Sequence, residues 1–348
     1  GGQYNLGVSV YLQVLPYLMY GKSVFVTRAT PALLSLIAAL ALALILLRGF
    51  KVRYAWIGVL LLTVTPVWFL HSRTAFETAL ATSFYAAFLF AYLEYRLHNP
   101  RWLYEAVALA ALTFYSYSPA QVVVAVTALL LFISDIKYHW QNRLTVLVGF
   151  GLALLLAVPY VRFQINHPGE TERHLTILSS YWVQTLTPGE KISRYFTEYL
   201  RGLNPLFWFN PQPDGLVRHI MKGYGHLWSL SLPLAVVGLV TALVKFRSPA
   251  HRAVLAALLA APSGMALVGL GVTRMLFMVV PAVLLSAIGV TIALDWLEKM
   301  SRRRWPKLQT RAILLLLSAI LISAASLFML SDALVNGPLW YSDYGLGG

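Results

Sequence analysis

The sequence contains no cysteine, which excludes disulfides and thiolate-ligated metal sites. Charge is also scarce. Only 11% of residues are charged and 13 of 348 are acidic, against about 25% charged residues in a soluble globular domain. No Walker loop, dinucleotide glycine fingerprint or Gly-x-Ser-x-Gly elbow occurs, which argues against nucleotide-driven chemistry and a serine-hydrolase site. No fixed-period repeat and no inverted symmetry between halves is visible. The chain begins Gly1-Gly2-Gln3 with no signal peptide, so it reads as a piece of a longer polypeptide.

Apolar surface takes the place of charge. Hydrophobic residues make up 59% of the chain, and they gather in ten stretches near 31–47, 55–70, 75–94, 102–118, 120–135, 144–162, 228–244, 253–272, 275–297 and 311–331. A bilayer core of ~30 Å needs ~20 predominantly apolar residues per helix. The expected fold class is therefore an all-α integral membrane protein, a polytopic helical bundle of about ten transmembrane helices. One large outer loop separates the sixth from the seventh. The expected division is an outer interfacial segment 1–30, a six-helix region 31–163, the loop 164–227, a four-helix region 228–331 and an outer C-terminal segment 332–348.

Orientation follows from the basic residues. Five short connections, 48–53, 94–101, 135–143, 245–252 and 299–311, hold 16 of the 27 Lys and Arg. Once the long loop is set aside, the opposite side holds 5. The positive-inside rule puts those five connections in the cytoplasm and the long loop and both termini outside. The same topology signal accounts for the net charge of +14 without nucleic acid as a partner.

The long loop is rich in aromatic residues, among them Tyr181-Trp182, Tyr195-Phe196 and Leu206-Phe207-Trp208-Phe209. Such apolar content requires packing. Ile192, Tyr195, Phe196, Tyr199 and Leu203 recur at helical steps, predicting one amphipathic helix over 188–203 along the outer membrane surface.

Polar candidates collect at the predicted outer ends. In His71-Ser72-Arg73-Thr74-Ala75-Phe76-Glu77, Arg73 and Glu77 are four apart. If helical they share a face, either pinning two helices as an ion pair or facing a pocket. Arg28 and Arg274 lie on the same side, and guanidinium groups there suit an anionic head group or simply lipid phosphate. Late in the loop come Asn204-Pro205, Asp214, Arg218-His219 and Gly223-Tyr224-Gly225. Asp214 is a candidate base or a turn residue, and Arg218-His219 a phosphate grip. Tyr115 and Tyr117 either line a polar cavity or belong to an aromatic belt. His167, His174 and His226 lack metal-ligand spacing and receive no role.

The order of these pieces resembles the polytopic glycosyltransferases of the GT-C fold, particularly bacterial relatives of the dolichyl-phosphate-mannose protein mannosyltransferases and the aminoarabinose transferases. The features that carry it are Tyr-Gly-Lys-Ser-Val-Phe-Val-Thr-Arg28, His-Ser-Arg73-x-x-x-Glu77, Tyr-Ser-Tyr-Ser-Pro119, and Tyr195-Phe-x-x-Tyr199, Asn204-Pro205, Asp214, Arg218-His219 and Gly223-x-Gly225 in the loop. The resemblance implies an inverting transfer of a sugar from a polyprenyl-phosphate donor to a protein, lipid or glycan hydroxyl, on the outer face of a bacterial inner membrane. Arg28, Arg73, Arg274, Arg218 and His219 become the donor-phosphate candidates, and Tyr115, Tyr117 and Asn204 the cavity lining. The family's acidic residue in the first outer loop has no counterpart here, where the first acidic residue is Glu77. Glu77 and Asp214 are thus the carboxylates available as a base, and the chain is expected to be incomplete. No cofactor is required by the sequence, a divalent cation is left open, and the acceptor is unidentified. The alternatives are a ligase or polymerase of lipid-linked polysaccharide, and a transporter or flippase. The last calls for midplane polar sites and repeat symmetry, in which this sequence is poor.

Overall fold

The computed structural model describes residues 6–74, 77–211, 215–304, 310–337 and 340. Asp214 lies outside them. The described residues are predominantly helical, with no strand among them.

α1 (Gly7–Tyr20) leads into α2 (Val24–Leu44), whose start is capped by Ser23 accepting from the Val26 amide at 3.1 Å. The expected span 55–70 is broken into α3 (Trp56–Thr63) and α4 (Pro66–His71). Pro66 cannot donate to the helix ladder, and the residue before a proline is driven extended, as Thr65 is at φ −80°, ψ 108°. α5 (Glu77–Leu97), α6 (Trp102–Phe114), α7 (Ser118–Ser134), the short α8 (Ile136–Gln141) and α9 (Arg143–Asn166) complete the first part.

The loop folds as α10 (Glu170–Ile177), α11 (Pro188–Leu203) and α12 (Pro205–Phe209). α11 has the bounds that its periodicity predicts. Thr187 and Glu190 close a capping box at its start. The loop is fastened to the bundle by Tyr199 donating to the Leu259 carbonyl and Ser180 donating to the Leu267 carbonyl, both at 2.6 Å, while Trp208 Nε1 ties α12 to α11 by donating to the Gly202 carbonyl at 2.8 Å.

α13 (Leu232–Val244), α14 (Pro249–Ala260), α15 (Val279–Arg304) and α16 (Thr310–Val335) follow. The expected span 253–272 stops at Ala260. As α-helix it ends there: Pro262, Gly264 and Gly269, the last at φ 130°, carry a stretch of turns and 3-10 helix (Met265–Leu267 and Val272–Met278) that returns to α-helix at Val279. Irregular backbone survives at membrane depth only inside protein, and Met265, Met275, Leu276 and Phe277 are fully buried.

Among the described residues five helices are long and apolar enough to cross a membrane by themselves, Val24–Gly49, Arg143–Asn166, Pro249–Leu267, Val272–Ser301 and Arg311–Val335, and three apolar helices are shorter. The fold is a polytopic helical bundle whose apolar segments are less uniform than ten equal spans. α5 is its centre, with Tyr85, Ala86 and Tyr95 fully buried, whereas α9 and α16 are apolar on nearly all sides yet stand at the periphery, facing the bilayer.

The basic connections meet their acids at one end of the bundle. Glu94 receives Arg48 and His98, and Arg311 pairs with Asp295 and Glu298 at 3.2 Å each. Asp135 is bound by Arg96 at 3.0 Å, by Arg252, and by the Tyr92 hydroxyl at 2.8 Å. Charge buried this deeply persists where it is paired and hydrogen-bonded.

Candidate anion site

The opposite end gathers imidazole and guanidinium groups from three parts of the chain. His71 closes α4, His219 sits in a short 3-10 turn of the loop (Val217–His219), and Arg274 comes from the irregular stretch before α15. The two imidazoles stack with ring centroids 5.4 Å apart. Their hydrogen bonds define the tautomers. His71 Nδ1 lies 2.8 Å from the Val67 carbonyl, so it carries the proton. His71 Nε2 then accepts from His219 Nδ1 at 3.4 Å, and His219 Nε2 accepts from Arg218 Nε at 3.3 Å. Both imidazoles are neutral in this arrangement. Burial, with His71, Arg218 and Arg274 close by, pushes the His219 imidazole down to about 4. His174 is also lowered, first by burial and then by Arg274.

Arg274 therefore stands among His219, His174 and Tyr117. Tyr117 bonds the Thr273 side chain and lies within electrostatic reach of both Arg274 and Glu77. Thr78 donates to the Thr273 carbonyl at 2.7 Å, holding this stretch against the start of α5. Arg274 Nη1 donates to the Gly269 carbonyl at 3.2 Å, so its direction is fixed from its own loop. A guanidinium held in this way, with Arg218 presented by the histidine pair, is suited to charge-assisted bonds to phosphate oxygens.

The structure distributes the predicted residues unevenly. Arg218, His219 and Arg274 come together, and His71 and His174 join them. Both ring nitrogens of His219 have partners within the protein, so its described contacts hold Arg218 in place. Arg73 and Glu77 do not form the expected pair. The chain turns at Ser72 and Arg73 and bends at Thr74, so the four-residue spacing does not fall on one continuous helix. Arg73 lies over the Phe69 ring, 3.8 Å from its centroid, and donates to the Phe69 carbonyl at 3.1 Å. Glu77 instead accepts from Ser9 of α1 at 3.3 Å and lines a small crevice with Gln13 and Thr30. Arg28 is half-buried on α2, two residues before Thr30. Asn204 is exposed and caps α12, its side chain accepting from the Leu206 amide at 3.0 Å, so it is a cap rather than a cavity wall. Tyr115 lines a separate apolar cavity. Among the described residues no cluster of three or more His, Asp or Glu could hold a metal ion.

The site is carried on a polytopic helical membrane bundle with an ordered loop packed against it. Residues 8–163 match the family model described as dolichyl-phosphate-mannose-protein mannosyltransferase. No curated protein matches the chain by sequence. Among solved structures, the fold is similar to ArnT from Cupriavidus metallidurans. The apo form gives a TM-score of 0.57 at 14% identity, and the form bound to undecaprenyl phosphate gives 0.58 at 13%, each covering 98% of this chain and 64% of that one. It is also similar to the apo oligosaccharyltransferase of Archaeoglobus fulgidus, with a TM-score of 0.58 at 16% identity, covering 92% of this chain and 48% of that one. The chain thus spans about two thirds or less of the length of these structures.

Proposed function

We propose that this chain is the main membrane part of a glycosyltransferase that takes a sugar from a polyprenyl-phosphate donor and passes it, with inversion, to a hydroxyl of a protein, lipid or glycan. The observation that carries this reading is the convergence of Arg218 and Arg274 on the His71–His219 pair at the end opposite the basic connections. It is supported by a similar fold that holds undecaprenyl phosphate in ArnT. In this reading the site faces outward from a bacterial inner membrane, the phosphate meets Arg274 and Arg218, and the isoprenoid chain lies along the bundle in lipid. Arg28 and Arg73 supply further positive charge on the same side.

Chemically, the guanidinium groups stabilise the phosphate as it leaves, and a carboxylate removes the proton from the acceptor hydroxyl. Glu77 is a described carboxylate within electrostatic reach of Tyr117 beside Arg274. Asp214 is the second candidate. Purified full-length protein is expected to turn over polyprenyl-phosphate sugars and to ignore nucleotide sugars. Turnover of nucleotide sugars would overturn the donor class, and substrate counterflow without chemistry would favour a transporter.

A further inference from the structure

Apart from the anion site, α6, α7 and α9, with Phe88 and Tyr92 of α5, border a cavity of about 570 Å³ lined almost entirely by apolar side chains. That is the size of a small-molecule site. Gly149, Ala153 and Ala157 recur at steps of four on α9, and Ala106 and Ala110 on α6 line the same space. Small residues at this spacing ordinarily let membrane helices close on one another. Here they border open space, because α6 and α9 touch near the two ends of the cavity. Leu103 fills the position over Gly149, where an added Cβ would meet its Cδ2 at 3.0 Å. At the outer end Tyr115 donates to the Leu156 carbonyl at 2.7 Å and accepts from the Tyr160 amide at 3.2 Å.

That Tyr115 rung shuts the cavity toward the outer face. Its open side lies between α7 and α9, where Leu129, Phe132 and Phe150 are exposed to the bilayer. At the inner end sits His139, only 6% exposed. The Tyr95 hydroxyl bonds its Nδ1 at 2.9 Å, while its Nε2 makes no hydrogen bond, although the Leu131 carbonyl, which accepts from Tyr92, lies beside the ring. Beyond it the rim is basic and aromatic. Lys137 and Arg143 are exposed and Trp140 is 74% exposed, the pattern of a segment resting among anionic head groups.

We infer that this cavity binds one acyl chain of an anionic phospholipid from the leaflet faced by the basic connections, with the head group at Lys137 and Arg143. Empty apolar space forfeits the dispersion contacts of its lining, and a hydrocarbon chain sliding in between α7 and α9 restores them. The basic rim selects the charge of the head group. The site is separate from the outer anion site, and it does not depend on the transfer activity.

The test is native mass spectrometry of the delipidated full-length protein, titrated in mixed micelles with phosphatidylglycerol or phosphatidylcholine. One phosphatidylglycerol should be retained, roughly 30-fold more tightly than phosphatidylcholine, given ~1 kcal/mol for each of the two basic residues near an anionic surface. Ala153→Phe and Ala128→Phe fill the cavity from different helices, and each should abolish retention with helix content unchanged. Lys137→Gln with Arg143→Gln should bring phosphatidylglycerol down to the phosphatidylcholine level in a chain whose cavity is untouched. Equal retention of the two lipids by the unaltered protein would overturn the inference whether or not the filled variants fold. So would retention unaffected by either filler, or fillers that displace polyprenyl phosphate instead.

Discussion

Gly238 on α13 and Gly289 on α15 permit the closest helix approach described in the molecule. A Cβ added at Gly238 would lie 1.9 Å from the Leu285 carbonyl oxygen, and one at Gly289 would lie 2.0 Å from that of Leu234. Both obstacles are backbone, so no rotamer change relieves them. Ordinary contact between such atoms is ~3.5 Å, and the helices would have to part by on the order of 1.5 Å. Overpacking costs typically 1–3 kcal/mol, and with rigid backbone on both sides Gly238→Ala and Gly289→Ala should each cost about 3 kcal/mol. One separation relieves both clashes, so the double variant should cost about 3–4 kcal/mol rather than the sum. Gly151 on α9 is the control. Nothing lies within 4 Å of its added Cβ, and Gly151→Ala should be neutral or stabilising by up to ~1 kcal/mol. Unfolding midpoints in detergent, followed by tryptophan fluorescence, measure all four. Unchanged stability of Gly238→Ala, or strictly additive losses, would refute the packing described.

Three further outcomes follow from particular contacts. Asp135→Asn leaves Arg96 and Arg252 buried without their carboxylate, and should destabilise by about 3–5 kcal/mol; an unchanged midpoint would contradict the network. His219 is held neutral below its unfolded value of 6.5, down to about 4. A depressed histidine contributes stability above pH 6.5 that is lost as pH falls through that window, by up to about 3 kcal/mol. The unaltered protein should therefore lose more stability than His219→Asn between pH 7 and pH 4.5, and parallel pH profiles would count against it. Because Arg73 rests on Phe69 and Glu77 accepts from Ser9, Arg73→Ala and Glu77→Ala should be additive in stability; a coupling above ~0.5 kcal/mol in the double variant would restore a pair.

Much of the fold is legible in the sequence, and the reasons for the exceptions are local. α11 matches its predicted bounds because a 16-residue amphipathic period ends in turn signals at both sides. Proline is a poorer guide. Pro31 and Pro159 lie inside continuous helices, whereas Pro66 and Pro262 mark breaks. The missing amide is common to all four, and neighbouring packing decides whether the helix survives it. The Arg73–Glu77 spacing misleads because it presumes helix across Ser72 and Arg73, where the chain turns. Of the anion site, the sequence points to Arg218, His219 and Arg274 by type and side. It does not pair His71 with His219, because 148 residues separate them and the contact exists only after the loop docks. A histidine closing an apolar helix, as His71 does, was the available signal. His174 has no such mark, and its place beside Arg274 follows from the packing of α10.

The central claim is that the Arg218 and Arg274 guanidinium groups recognise a lipid phosphate. Equilibrium binding of undecaprenyl phosphate against undecaprenol, to the unaltered protein and to Arg274→Gln and Arg218→Gln, tests it most directly. A charge-assisted bond to phosphate is worth about 1.5–3 kcal/mol, roughly 10- to 150-fold in affinity. With two such bonds the unaltered protein should prefer the phosphate by at least about 100-fold, and each substitution should cut that preference by roughly 10- to 150-fold while leaving undecaprenol binding as it was. Equal affinity for the two lipids, or a phosphate preference that survives both substitutions, would contradict the account.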